Sequence, residues 1–239
     1  MKNIHTLLMG TLFIAKFGFG QSTFTEHAIS TSVDGVHNVY AADMDGDGDM
    51  DVLSASEIDN TIAWYENDGS ESFTAHAIST SAYTAYVVYA ADVDADGDMD
   101  VLSASGGDNT IAWYENDGSE SFTEHAISTS AYGTRCVYAT DVDGDGDIDV
   151  LSASFDDGQL PIAWYENDGS GSFTTHGIPT SANGAFFVHA ADVDGDGDMD
   201  VLSASSNDGR ITWYQNDGSE IFTEHVITAS ADGARSVYV

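Results

Sequence analysis

The chain has 239 residues, 42% hydrophobic and 11% aromatic, with 41 Asp and Glu against five Lys and Arg, for a formal net charge of −36. That balance excludes nucleic-acid binding by phosphate neutralisation, which needs a basic face, and docking on anionic lipid. The apolar and aromatic content is that of a chain that folds, not of a disordered polyanion.

The first element is an address. Lys2 precedes an apolar run from Leu7 to Ala15, Lys16 interrupts it, and small residues lead to Gln21. This pattern predicts a secretory signal peptide over 1–20, since the run is too short and too broken for a spanning helix of about 20 apolar residues. No second apolar stretch follows, so the expectation is export without membrane insertion, to the medium or the cell surface. Cleavage removes both lysines and leaves Arg135, Arg210 and Arg235 against all 41 acids. Cys136 is the single cysteine and has no intrachain partner. Its counterparts in the repeat described next are Asn38, Val87, Phe187 and Ser236, the variability of a packing position rather than a reactive thiol.

From residue 21 onward the chain is one unit repeated. The string beginning DMDGDGDMDVLSAS at Asp43 returns in close variants at Asp92, Asp141 and Asp192, a period of about 50 residues that signals a propeller or an array. Each unit contains four segments of strand composition, in the first Val39 to Ala42, Met50 to Ser56, Thr61 to Glu66 and Phe73 to Ser79. Asn67-Asp68-Gly69-Ser70 between the last two has the turn chemistry of an antiparallel hairpin. Four antiparallel strands per unit of this length predict an all-β fold, a β-propeller of four-stranded blades. The predicted blades are 37–79, 86–128, 135–179 and 186–228. Small and apolar residues mixed along VLSAS fit sheets covered on both faces, and the recurring Trp64, Trp113, Trp164 and Trp213 are expected to pack between blades.

The acidic loop carries the chemistry. Asp43, Asp45, Asp47, Asp49 and Asp51 lie within nine residues. Two unit charges 4 Å apart repel by about 1 kcal/mol in water and about 4 kcal/mol at an effective dielectric of 20. Five together resist a compact loop unless a cation cancels them. A flexible shell of hard oxygen ligands with a glycine at the sixth position suits Ca²⁺ better than Mg²⁺, with its strict octahedron, or Zn²⁺, which prefers nitrogen and sulfur. One ion per complete blade gives about four. An EF-hand does not fit, because Ser54 stands where its closing Glu belongs and the flanks are strands. The nonapeptide calcium roll would repeat its loops every nine residues.

These residues resemble the FG-GAP and VCBS repeats of integrin-type propellers. The match rests on AADMDGDGDMDVL and its three copies and extends over residues 24–239. The resemblance implies calcium ligation by side chains at loop positions one, three, five and nine and by the carbonyl at seven. In the first loop these are Asp43, Asp45, Asp47 and Asp51, with Asp49; in the second Asp92, Asp94, Asp96 and Asp100, with Asp98. In the third they are Asp141, Asp143, Asp145 and Asp149, with Asp147; in the fourth Asp192, Asp194, Asp196 and Asp200, with Asp198. Ala95 departs from the glycine at position four, and Ser54-Ala55-Ser56 replaces the Gly-Ala-Pro of integrins, so integrin ligand recognition is not implied.

Phe24 to Ser30 reads as an outer strand and Ser236 to Val239 as an inner strand of an incomplete blade, which suggests a truncated ring, typically seven-bladed in the family. The five FTxH histidines are expected in structural hydrogen bonds, one blade each. No nucleophile elbow, phosphate loop or metalloprotease helix is present, so the expectation is a module without catalytic activity. The expected role is a calcium-stabilised extracellular propeller for adhesion or protein interaction. The alternatives are a lectin-like glycan binder and an accessory region of a larger secreted hydrolase. Tyr83, Tyr132 and Phe186, in the segment that varies most between repeats, are the candidate partner contacts.

Overall fold

The computed structural model describes residues 26–156 and 158–239. The expected signal peptide and the start of the expected first outer strand lie outside them. Among the described residues, sixteen strands form four antiparallel sheets, each in sequential order. The first sheet holds β1 (Val36–Ala42), β2 (Asp51–Ser56), β3 (Thr61–Asn67) and β4 (Phe73–Ser79). The second holds β5 (Ala85–Ala91), β6 (Asp100–Ser105), β7 (Thr110–Asn116) and β8 (Phe122–Ser128). The third holds β9 (Thr134–Thr140), β10 (Asp149–Ser154), β11 (Ile162–Asn167) and β12 (Phe173–Gly177). The fourth holds β13 (Ala185–Ala191), β14 (Asp200–Ser205), β15 (Arg210–Asn216) and β16 (Phe222–Thr228). The fold is the expected propeller arrangement of meander blades, with inner strands starting a few residues earlier than the sequence indicates.

The core lies between blades. Leu53, Ala55, Ile62 and Trp64 of the first blade pack against Val88, Val101, Ala112 and Tyr114 of the second, and two equivalent clusters join the second to the third and the third to the fourth. β6, β10 and β14 are buried at every residue, which explains their serines and alanines: neighbouring sheets cover both faces and leave room for little else. Trp64 and Trp113 project across interfaces, Trp64 meeting Phe122 edge-on at 6.5 Å and Trp113 meeting Phe173 in the same way, and Trp164 packs in the cluster between the third and fourth blades. Trp213, on the last described blade, is half-buried and joins none of these clusters. Fully burying an aromatic of this kind contributes roughly 1.5–3 kcal/mol.

The two expected terminal strands differ from the prediction. Neither 26–30 nor 236–239 is in a strand, because neither has a ladder partner among the described residues. Tyr238 nevertheless occupies the next position of an aromatic column running Tyr40, Tyr89, Tyr138, His189, Tyr238 along the inner strands, with centroid separations of 4.6 to 5.4 Å.

Candidate metal centres in the blade loops

The β1–β2 connection and its three equivalents are the acidic loops. Within each, three carboxylates offer oxygens that lie within 4.8 Å of one another: Asp43, Asp45 and Asp51; Asp92, Asp94 and Asp96; Asp141, Asp143 and Asp149; Asp192, Asp194 and Asp200. Positions one and three converge in all four. Position nine joins them in the first, third and fourth loops and position five in the second. Asp47, Asp145 and Asp196, at position five, and Asp100 lie outside these groups. So do the side chains of Asp49, Asp98, Asp147 and Asp198, for which the backbone carbonyl was the expected ligand.

Local backbone chemistry sets this geometry. Position six takes φ near +100° in every copy, at Gly48, Gly97, Gly146 and Gly197, a region reserved for glycine. Carboxylates inside the loop then cap its amides: Asp43 Oδ2 accepts from Gly48 N–H at 3.1 Å, and Asp47 Oδ1 from Asp49 N–H at 2.8 Å. Asp51 is fully buried and accepts two amides, from Met44 at 3.0 Å and Asn67 at 2.7 Å. The same pair of bonds recurs at Asp100, Asp149 and Asp200, so position nine is anchored by the fold in all four blades.

The electrostatics are those of a site short of positive charge. Burial, opposed by these amide hydrogen bonds, pushes the Asp100 and Asp149 carboxyls up to about 6. Burial and the neighbouring carboxylates also raise Asp45, Asp94 and Asp143. Asp43 Oδ1 and Asp92 Oδ1 are buried with no hydrogen-bond partner. An orphaned carboxylate oxygen beside two converging carboxylates is a costly arrangement that a hard divalent cation relieves, and an all-oxygen donor set is the one such a cation takes. The residues therefore fit a metal ion.

Two supporting groups were not singled out from the sequence. The side chains of Asp49, Asp98, Asp147 and Asp198 lie against the hairpin glycines Gly69, Gly118, Gly169 and Gly218, whose positive φ and lack of Cβ admit them. The asparagines ending the WYxN strands of the second, third and fourth blades tie consecutive loops together. Asn116 Nδ2 donates to Met99 O in its own blade and to Met44 O in the preceding one, and Asn167 and Asn216 repeat the pattern. The invariance of this asparagine in every copy of the repeat was the available signal.

The FTxH histidines of the four blades pack on the blade tryptophans. His76, His125 and His176 bond Glu66, Glu115 and Glu166 across the outer strand pair at 2.7–2.9 Å and stack on the tryptophan of the same blade. Cys136 is buried and its thiol is pushed up to about 12 by burial, as suits a packing residue. Of the candidate contacts, Tyr83 and Tyr132 are 57% and 55% exposed, whereas Phe186 is half-buried between two arginines.

Meander blades whose inner loops gather aspartates define a propeller of acid-loop repeats. The chain belongs to the FG-GAP-like repeat family, which it matches at residues 43–103, 92–152, 141–203 and 192–239. No curated protein matches it. Among solved structures it is similar to a lectin of Agrocybe aegerita described for specific recognition of non-reducing terminal N-acetylglucosamine, with a TM-score of 0.58, 20% identity and coverage of 82% of this chain and 53% of the lectin. It is also similar to BBS1N, solved in complex with ARL6DN, with a TM-score of 0.58, 12% identity and coverage of 86% and 60%. The chain thus spans little more than half the length of these structures, and at such identities the likeness is one of fold alone.

Proposed function

We propose that this chain is a secreted or cell-surface calcium-binding propeller that acts as an adhesion or protein-interaction module, with calcium in a structural role and no catalytic activity of its own. The observation that carries this reading is the fourfold recurrence of a converging aspartate trio, seated each time in the loop between the first two strands of a blade and short of positive charge. Asp43, Asp45 and Asp51 and their counterparts would hold the ion, with position five and the position-seven carbonyl completing the shell. When bound, the ion supplies charge neutralisation that lets the loop stay compact. The chain's own residues fix where it sits: glycines turn the loop, two amides hold position nine, and asparagines link each loop to its neighbour. Affinities of roughly 10⁻⁴–10⁻³ M, usual for extracellular calcium modules, would suffice for occupancy outside a cell.

The partner is an extracellular protein or glycan. It would meet the propeller on the face opposite the metal loops, where the β4–β5 and β8–β9 connectors present Tyr83 and Tyr132.

The test is metal analysis with thermal unfolding. Dialysed protein is expected to take up about four Ca²⁺, and its midpoint should fall by several degrees in chelator. An unchanged midpoint after verified metal removal would overturn the structural role. Calcium-independent retention on a cell surface would separate adhesion from the metal.

A further inference from the structure

One ring of residues departs from the repetition. Across units that otherwise copy one another closely, the second residue of each inner strand reads His37, Tyr86, Arg135 and Phe186, and Arg235 takes the same place after the fourth blade. In every blade this residue is the one skipped by the ladder. Val36 pairs with Ser56 and Asn38 with Ala55, leaving His37 unpaired, and the same break passes over Tyr86, Arg135 and Phe186. A β-bulge frees a side chain from the sheet and re-aims it, and bulges gather at functional sites.

These side chains line the mouth of an open cavity of about 460 Å³ at the starts of the inner strands, the strand ends opposite the metal loops. Two of the three arginines in the described residues are here. Arg135 lies over Tyr86 with its guanidinium carbon 3.9 Å from the ring centroid, and both Arg135 and Arg235 approach Phe186, at 6.0 and 5.1 Å. In so acidic a chain, ion pairs among the described residues form at Arg210 and not at either of these. Arg135 Nε is buried and has no hydrogen-bond partner. Glu57, the carboxylate of the mouth, accepts instead from the Tyr86 hydroxyl at 3.4 Å.

We propose that this mouth binds a single carboxylate group, from a free organic acid or a uronate residue, between Arg135 and Arg235. Guanidinium forks match a planar carboxylate, and the aromatic faces hold the arginines in place so that little order is lost on binding. Polyanions and phosphate dianions are disfavoured by the field of the surrounding acids, while one monoanion in a concave site with two local cations meets the least repulsion. The site goes beyond the structural role of the metal loops and does not depend on it.

Calorimetric titration of the calcium-loaded protein at low ionic strength tests this, using sodium glucuronate, sodium lactate and glucose. Glucuronate is expected to bind saturably at one site and glucose not to bind. Lactate binding as well would assign the site to carboxylates in general, and its absence would assign it to the sugar acid. R135Q and R235Q should each weaken binding about tenfold or more. Arg235 is exposed on a segment outside any strand, so R235Q keeps the test valid where R135Q disturbs packing. The proposal is overturned by glucose binding equal to glucuronate, by no saturable binding of either acid, or by unchanged affinity in R235Q together with a folded R135Q. Unchanged affinity would place the acid at the metal loops.

Discussion

At the scale of the residue, the acidic loop shows how one conformational demand sorts the four copies. Position four adopts positive φ throughout, +73° at Gly46, +81° at Gly144 and Gly195, and +60° at Ala95. Left-handed backbone costs an L-residue roughly 1–2 kcal/mol that glycine avoids, so Ala95 holds strain its counterparts lack. A95G is expected to stabilise the protein by about 1 kcal/mol, offset in part by the extra freedom glycine brings to the unfolded chain. Urea denaturation would measure it, and a destabilised A95G would show that the methyl group makes a favourable contact. The space around position four agrees with the prediction, since a Cβ added to any of the glycines there would meet nothing within 4 Å.

At the scale of the element, the four blades differ in what holds their loops. Asn67 bonds Met50 O in its own blade, whereas Asn116 also reaches Met44 O across the interface. Removing a side chain that satisfies buried carbonyls costs about 1–3 kcal/mol. N116A should therefore destabilise more than N67A, by at least about 1 kcal/mol in denaturant melts. Equal losses would mean that the inter-blade bond contributes nothing measurable. Much of this level was legible from the repeat: the strands, the hairpin turns and the aspartate loops all follow from local composition. The inter-blade bond was not, because Met44 and Asn116 are 72 residues apart and only stacking of sheets brings them together.

At the scale of the whole molecule, the charge imbalance becomes a set of places. Twenty of the 41 acids sit in the four loops. In metal-stripped protein, burial raises Asp100 and Asp149 to about 6 from 3.8. A carboxyl whose folded value is raised lends stability below its unfolded value, and that stability is lost as pH rises through the folded one. The metal-free midpoint is thus expected to climb as pH falls from 7 toward 5, the reverse of ordinary acid denaturation. Calorimetry of resin-stripped protein checks this, and a falling midpoint would show that the loops rearrange without metal to expose these groups.

The blade, its strands, its turns and its aspartate loops can all be read along the chain, because each depends on neighbours within a few residues and the repeat states them four times over. Tertiary structure decided which carboxylates converge, which asparagines bind one blade to the next, and that Phe186 faces two arginines instead of solvent. The asparagine and arginine relations link residues about 50 or more apart and come into being when sheets stack side by side and bulged residues of separate blades meet at one cavity mouth, whereas the carboxylates of a loop converge because glycines turn it and two amides, one from the next hairpin, seat position nine.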